Sequence, residues 1–167
     1  FNVTTYALNV SKMASSVSLP HYHICVKQWP KYNWVNVTNG VHMPTWQDPN
    51  MQASLEADDH GLWANHLDNK RALAEFVAAK TGFGYDPNKL VITWARRMTT
   101  YKQLDLLFSD IERLQKILLS TDKPVQLLVA GKAHVFDQGG KQIIREVIGF
   151  MGHELSGHAI FVPNYNM

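Results

Sequence analysis

The second half of the chain alternates short apolar runs with amphipathic segments, and this order constrains the fold more than any other feature. Three apolar runs predict buried strands at Leu90–Ala95, Val125–Ala130 and Ala159–Val162. Tyr101–Ser120 and Lys141–Met151 lie between them and carry apolar residues at helical spacing. A β-α-β-α-β order implies a parallel sheet with right-handed crossovers. The sequence therefore predicts an α/β fold for this half of the chain.

The first half of the chain has a different and mostly helical pattern. Apolar residues at helical spacing predict three helices, at Phe1–Ser16, His21–Trp29 and Leu55–Lys80. Gly61, near the start of the last of these, leaves two shorter helices as an alternative. Pro20 is expected to end the first of them. Tyr32–Thr38 alternates in the manner of a strand. Pro44 and Pro49 predict that Val41–Gln52 is irregular.

The change of pattern predicts a domain boundary. Thr81–Asn88 contains two glycines and a proline, and it separates the helical part from the alternation of strands and helices. We therefore divide the chain into residues 1–81, a connection at 82–88, and residues 89–167. The first and last parts are expected to belong to separate structural units.

Composition argues against several classes of protein. The formal net charge of +2 is too small to indicate nucleic acid or a membrane as partner, and no apolar run reaches the ~18 residues of a membrane span. The single cysteine, Cys25, cannot form a disulfide within the chain, which fits the cytoplasm. No cysteine or carboxylate cluster joins the histidines, so we expect no metal site. Asp58-Asp59 precede a predicted helix and are interpreted as charges that complement its dipole.

Basic residues cluster where the first strand of the second half ends. Arg96 and Arg97 follow this strand, and Lys102 comes after a short polar turn, where Tyr101 opens the next predicted helix. Ligands of open α/β sheets lie beyond the carboxyl ends of the strands, and a helix N-terminus adds free N–H groups there. Arginine offers a planar fork of donors to phosphoryl oxygens. These residues predict a phosphate site, with a solvated basic turn as the alternative.

Two further segments carry candidate site residues. Gly131-Lys132 ends the second strand, where glycine permits a ligand to approach the backbone closely, but the glycine spacing of a Walker loop is missing. Ligand contact and simple packing both remain open for this segment. Asn39, followed by Gly40, can donate and accept hydrogen bonds and could bind a pair of sugar hydroxyls. An asparagine that merely forms a β-turn is the alternative.

Four motifs follow one another along the chain: VTNGVHMPTW, ARRMTTYKQLDLL, LLVAGKAH (with Asp137 and Gly140-Lys141 after it) and FVPNYNM. Their order resembles the α-glucan phosphorylases, the glycogen, starch and maltodextrin phosphorylase family, and most of all its short bacterial type. The resemblance implies the two-domain GT-B architecture. Residues 1–81 would then be the C-terminal part of a first, glucan-binding domain. Residues 89–167 would be the first half of a second, doubly wound and Rossmann-like domain that binds phosphate and cofactor.

The resemblance also implies roles for the candidate residues. Arg97 and Lys102 match the family's catalytic positions that bind the substrate phosphate, and Arg96 falls beside the cofactor phosphate. The remaining candidates would lie near the phosphates (Gly131, Lys132, Tyr165) or at the glucosyl unit (Asn39 and Gly40, with His42 positioning the loop). A tyrosine that caps the sheet is the alternative for Tyr165.

The reaction that the resemblance implies is phosphorolysis of an α-1,4-glucan to glucose 1-phosphate, with inorganic phosphate as substrate and pyridoxal phosphate as cofactor. The implied enzyme is a homodimer. The family's Schiff-base lysine would lie beyond Met167, so we expect this chain alone to be inactive. The chain departs from the family pattern at residues 15–21, where an Asn-Gly pair is usual, and at Gln103, where a basic residue is usual.

Two other functions remain open. A nucleotide-sugar glucosyltransferase of the same architecture, such as a glucan synthase, places a diphosphate at a similar basic strand end. The chain lacks the tandem glycine loop that such an enzyme carries early in its sequence. The other alternative is a module that binds carbohydrate or phosphate without catalysing a reaction.

Overall fold

The computed structural model describes residues 2–57 and 60–165, apart from the side chain of His60. The acidic pair Asp58-Asp59 therefore lies outside the described residues. The chain forms two compact units, Phe1–Gln52 and Ala53–Met167. The long helix that precedes residue 82 thus belongs to the unit that contains the main sheet. The division at residues 82–88 stays a prediction about the domains of a longer protein.

The first unit contains a small parallel sheet of two strands. Its elements are α1 (Val3–Val10), β1 (Ala14–Ser16), α2 (Leu19–Gln28), β2 (Trp34–Asn36), α3 (Met43–Trp46) and the start of α4 (Pro49–Ala57). β1 and β2 pair in parallel, with Ala14 opposite Trp34. The predicted helix at His21–Trp29 and the predicted strand at Tyr32–Thr38 are both confirmed in their central residues.

Three predictions for the first unit were wrong. The first helix ends at Val10, and Ala14–Ser16 is a strand, so Phe1–Ser16 is not one helix. Pro20 lies in the first turn of α2 instead of ending a helix. The prolines at 44 and 49 likewise lie in the first turns of α3 and α4, so the segment Val41–Gln52 is not irregular. A proline is tolerated in a first turn because the N–H that it lacks has no partner within the helix there.

The second unit contains the sheet that the sequence predicts. Its elements in chain order are α5 (His60–Thr81), β3 (Leu90–Ala95), a 3-10 turn (Thr100–Lys102), α6 (Leu104–Leu107), α7 (Ile111–Leu118), β4 (Val125–Gly131), α8 (Gln138–Gly152) and β5 (Ala159–Pro163). The strands are parallel and lie in the order β3-β4-β5. The predicted α/β fold with a parallel sheet is therefore confirmed.

Helices cover both faces of the central strand. All of β4 is buried, and its alternate side chains enter two different hydrophobic clusters. Leu127 and Val129 pack with residues of α7 and α8, whereas Leu128 and Ala130 pack with Val77 of α5. Successive side chains of a strand point to opposite faces, so the two clusters lie on opposite sides of the sheet. β3 lies at the edge, and it therefore exposes Leu90 and Ile92, which we expected to be buried.

The segment Tyr101–Ser120 is not the single helix that its periodicity predicts. The 3-10 turn ends at Lys102; the next residue, Gln103, has a φ of 54° in the left-handed region, and only the short α6 follows. A new helix, α7, then begins where the Asp110 side chain accepts a hydrogen bond from the Arg113 N–H. An aspartate at this position satisfies a donor that the first turn leaves free. The helical spacing of the apolar residues did not reveal either interruption.

None of the helices within the described residues is both long and apolar enough to cross a membrane.

Candidate functional site

The ends of β3 and β4 stay paired beyond the regular sheet. The Arg96 N–H donates to the Ala130 carbonyl at 3.2 Å, and the Met98 N–H donates to the Lys132 carbonyl at 3.0 Å. The segments 96–98 and 130–132 therefore run side by side at the carboxyl edge. Arg96, Gly131 and Lys132, which the sequence predicts to share one crevice, are brought together there.

Two glycines allow a third segment to join these strand ends. A Cβ atom on Gly131 would lie 2.4 Å from the Arg96 carbonyl oxygen, and one on Gly140 would lie 2.2 Å from the Met98 carbonyl oxygen. Any side chain at either position would force these backbones apart. The packing interpretation of Gly131 is therefore supported, and the first turn of α8 lies directly against Met98. We call the place where 96–102, 130–132 and the start of α8 meet the strand-end corner.

Side chains, and not a helix terminus, supply the positive charge of the strand-end corner. The helix that we expected to begin at Tyr101 is a 3-10 turn of three residues. The N-terminus of α8 already has an anionic partner, because the Asp137 side chain accepts a hydrogen bond from the Gly140 N–H at 2.8 Å. The carboxylate satisfies a free N–H group there and complements the helix dipole. An added anion would therefore depend on the basic side chains.

The basic side chains of the corner differ in exposure. Arg96 and Arg97 are exposed, whereas Lys102 is half-buried, with its Nζ atom 4.8 Å from the centre of the Tyr101 ring. Among residues 2–57 and 60–165, none of these three side chains forms an ion pair with a carboxylate. Nothing among those residues neutralises their charge. The three cations can therefore serve an anionic ligand.

Thr99 is a corner residue that the sequence analysis missed, because Thr99-Thr100 read as an ordinary polar turn. Its Oγ1 atom is buried and has no hydrogen-bond partner within the described part of the chain. A buried hydroxyl without a partner is unfavourable, and a phosphoryl oxygen is an acceptor that it would suit. The donor set of the corner therefore fits a phosphate group. No sequence signal could have identified Thr99, since its burial depends on how closely the strand ends approach α8.

Tyr165 follows the last strand at the same edge of the sheet. It is half-buried and packs against the cluster that contains Leu128, Ala130 and Val162. Asn164 just before it has a φ of 60°, a left-handed conformation that asparagine tolerates. This packing agrees with a tyrosine that caps the sheet. A role beside a cofactor phosphate stays a prediction.

The predicted glucosyl-binding residues lie in the first unit. The Asn39 N–H donates to the Val17 carbonyl at 3.0 Å, while the Asn39 side chain is exposed. His42 immediately precedes α3, and its Nδ1 atom lies 2.8 Å from the Thr45 hydroxyl. The contact to Thr45 suits a histidine that positions the loop, and the exposed amide of Asn39 is accessible to a sugar. Gly40 has open space around it.

Concave surfaces also occur away from these residues. One cleft of about 510 Å³ is lined by Met43, Pro44, Gln47, Pro49 and Gln52. Another, of about 460 Å³, lies beside β5 and is mostly apolar. Neither includes a basic side chain, so neither resembles a phosphate site. No group of three or more potential metal ligands occurs among residues 2–57 and 60–165.

The fold and the corner together define an α/β protein with a basic site at the carboxyl edge of a parallel sheet. The chain matches no protein-family model. It is 32% identical to glycogen phosphorylase of Aquifex aeolicus, over 99% of this chain and 31% of that protein. It is 31% identical to glycogen phosphorylase of Mycobacterium tuberculosis, over 100% of this chain and 25% of that protein. It is 30% identical to maltodextrin phosphorylase of Thermococcus litoralis, over 88% of this chain and 23% of that protein.

The chain therefore belongs to the glycogen and maltodextrin phosphorylase family, and the resemblance inferred from the motifs is confirmed. It spans about a third or less of the length of these relatives. The alignment with the Aquifex protein covers 212 positions, against the 167 residues of this chain. The difference means that at least 45 positions of that relative have no counterpart here.

Proposed function

We propose that this chain is part of an enzyme that phosphorolyses α-1,4-glucan to glucose 1-phosphate. The observation that carries the proposal is the strand-end corner, in which Arg96, Arg97 and Lys102 have no carboxylate partner among the described residues. The names of the relatives supply the substrate class, because they are glycogen and maltodextrin phosphorylases. The parent enzyme would have the GT-B architecture and would act as a homodimer.

Arg97 and Lys102 hold the substrate phosphate in this proposal. An arginine fork can engage two phosphate oxygens at once, and a lysine adds a point charge from the adjoining turn. Arg96 is directed to the phosphate of pyridoxal phosphate, with Gly131, Lys132 and Tyr165 near it. Two phosphate dianions a few ångströms apart repel each other strongly, so cations between them are needed for both to bind.

Pyridoxal phosphate fits the corner through its phosphate group, for which the cations and the Thr99 hydroxyl are suitable donors. When bound, it supplies a phosphate that takes part in proton transfer to and from the substrate phosphate. The residues of this chain bind and orient the two anions. The lysine that anchors the cofactor is not assigned to any residue of this chain.

The first unit contributes the sugar contact. Asn39, with its exposed amide, hydrogen-bonds hydroxyls of the glucosyl unit, while Gly40 lets the sugar approach the backbone. His42 holds the loop through Thr45. This division of roles assigns the sugar to the first unit and the phosphates to the second.

The test is a product assay on the full-length protein that contains this chain. The protein, supplied with pyridoxal phosphate, is incubated with maltodextrin and inorganic phosphate, and glucose 1-phosphate is measured. Phosphate-dependent release is expected. Transfer of glucose from a nucleotide sugar, without phosphorolysis, would instead establish a glucan synthase-like enzyme. Binding of maltodextrin or phosphate without either reaction would establish a non-catalytic module.

A further inference from the structure

Thr99 lies between two residues of the strand-end corner that pack against the start of α8. Met98, just before it, is bonded through its N–H to the Lys132 carbonyl and touches the start of α8 at Gly140. Thr100, just after it, lies against Gly139, where an added Cβ atom would be 2.9 Å from the Thr100 methyl group. The backbone of Thr99 is therefore fixed on both sides. Its hydroxyl could reach another partner only by rotation of the side chain, and not by a shift of the backbone.

Within the described part of the chain, the Thr99 hydroxyl forms no hydrogen bond that would hold the fold. The Lys102 N–H donates to the Thr99 carbonyl oxygen, and the Thr99 side chain forms no capping bond to the turn that follows. The Oγ1 atom is buried without a hydrogen-bond partner among the described residues. A valine has nearly the same shape and would avoid this unfavourable burial. A threonine at this position is explained if its hydroxyl acts on a ligand.

We propose that the Thr99 hydroxyl donates a hydrogen bond to a phosphoryl oxygen bound in the strand-end corner, and so positions the anion between the basic side chains. The inference rests on the proposed function, which supplies two phosphates that the corner could hold. One is inorganic phosphate, and the other is the phosphate of pyridoxal phosphate. The chemistry of the hydroxyl is the same for both, so experiment has to separate them.

The experiment compares Thr99→Val, Thr99→Ser and Thr121→Val. Serine keeps the hydroxyl, and Thr121 is an exposed threonine on the loop that precedes the amino end of β4. In the 167-residue chain, thermal unfolding is measured without ligand, with inorganic phosphate and with pyridoxal phosphate. In the full-length holoenzyme, KM for phosphate, kcat and retention of the cofactor on dialysis are measured.

Without ligand, Thr99→Val should unfold at a temperature equal to or above that of the wild type, because it removes an unpaired buried hydroxyl. With ligand, it should lose about tenfold in affinity for one of the two phosphates, which corresponds to one hydrogen bond to a charged group. A raised KM for phosphate with an unchanged kcat assigns the hydroxyl to the substrate. Faster loss of pyridoxal phosphate with an unchanged KM assigns it to the cofactor. Thr99→Ser and Thr121→Val should behave as the wild type in both respects.

The proposal is overturned if Thr99→Val binds both phosphates within about twofold of the wild type. It is also overturned if Thr99→Val lowers the unfolding temperature without ligand, since the hydroxyl would then have a structural partner. If the full-length wild type shows no phosphorolysis, the proposed function fails. In that case the role of Thr99 is still tested by the 167-residue chain, through the rise in its unfolding temperature when inorganic phosphate or pyridoxal phosphate is added.

Discussion

Gly140→Ala is the substitution that most directly tests how the strand-end corner is assembled. An alanine Cβ atom at this position would lie 2.2 Å from the Met98 carbonyl oxygen and 3.0 Å from its carbonyl carbon, whereas ordinary contacts lie at 3.4–4 Å. The obstacle is backbone, which is already bonded to Lys132 through the Met98 N–H. It cannot move aside as the end of a flexible side chain could. Either α8 or the end of β3 has to shift.

Two opposing effects set the magnitude. An alanine within a helix is favoured over glycine by about 0.5–1 kcal/mol. Forcing an extra carbon into a packed site typically costs about 1–3 kcal/mol beyond what the site can absorb, and a backbone obstacle belongs at the upper end. Subtracting the helix preference from a cost of about 3 kcal/mol leaves a net loss of about 2–2.5 kcal/mol. For a chain of this size that corresponds to a fall in Tm of roughly 4–10 °C.

Gly149→Ala is the matched control, because Gly149 lies in the same helix and a Cβ atom there would meet nothing within 4 Å. It should raise Tm by a few degrees at most, through helix propensity alone. The assay is thermal unfolding of both variants and the wild type, followed by circular dichroism. If Gly140→Ala is as stable as Gly149→Ala, α8 does not pack against Met98 as described, and the argument for the corner fails.

Two further substitutions test neighbouring parts of the second unit. Asp137→Ala removes the side-chain acceptor of the Gly140 N–H and should lower the free energy of unfolding in urea by about 0.5–2 kcal/mol. An unchanged urea midpoint would show that this N-terminal cap does not stabilise the fold. Tyr85→Phe removes the donor to the Leu127 carbonyl and should lower the free energy of unfolding by about 0.5–1.5 kcal/mol at pH 8, because one buried hydrogen bond is lost. Burial raises the pKa of Tyr85, so the folded state keeps the phenol protonated after the unfolded state begins to ionise near pH ~10. Wild-type stability should therefore fall between pH 9 and 11, and Tyr85→Phe should show a smaller fall; equal falls would refute the assignment.

The sheet could be predicted from sequence because its signal is local. Val125–Gly131 is apolar apart from Gln126 and ends in glycine, so both its identity as a strand and its burial follow from the pattern. The position of β3 at the edge does not follow, because it depends on which strands pair. Periodicity therefore identified Leu90–Ala95 as a strand and overestimated the burial of Leu90 and Ile92.

The candidate site could be predicted only in part. Arg96, Arg97 and Lys102 stand out because they follow an apolar strand, and motif order adds Asn39 and Tyr165. The buried hydroxyl of Thr99 and the contact of Gly140 with Met98 arise from long-range packing, which no local pattern encodes. The sequence analysis also did not predict that the Asp137 carboxylate would bind the free N–H group at the start of α8, although aspartate is common at this position of a helix.

The central claim is that the strand-end corner binds substrate phosphate, and Arg97→Ala in the full-length enzyme tests it most directly. Steady-state kinetics are measured with phosphate varied at saturating glucan, beside Arg113→Ala, which removes an exposed arginine from α7. A charge-assisted contact is worth about 1.5–3 kcal/mol, so kcat/KM for phosphate should fall roughly 10- to 150-fold in Arg97→Ala. Arg113→Ala should match the wild type, and Arg97→Lys should recover only part of the loss because lysine lacks the planar fork. Phosphate kinetics within about twofold of the wild type in Arg97→Ala would contradict the claim and leave the basic residues as a solvated turn.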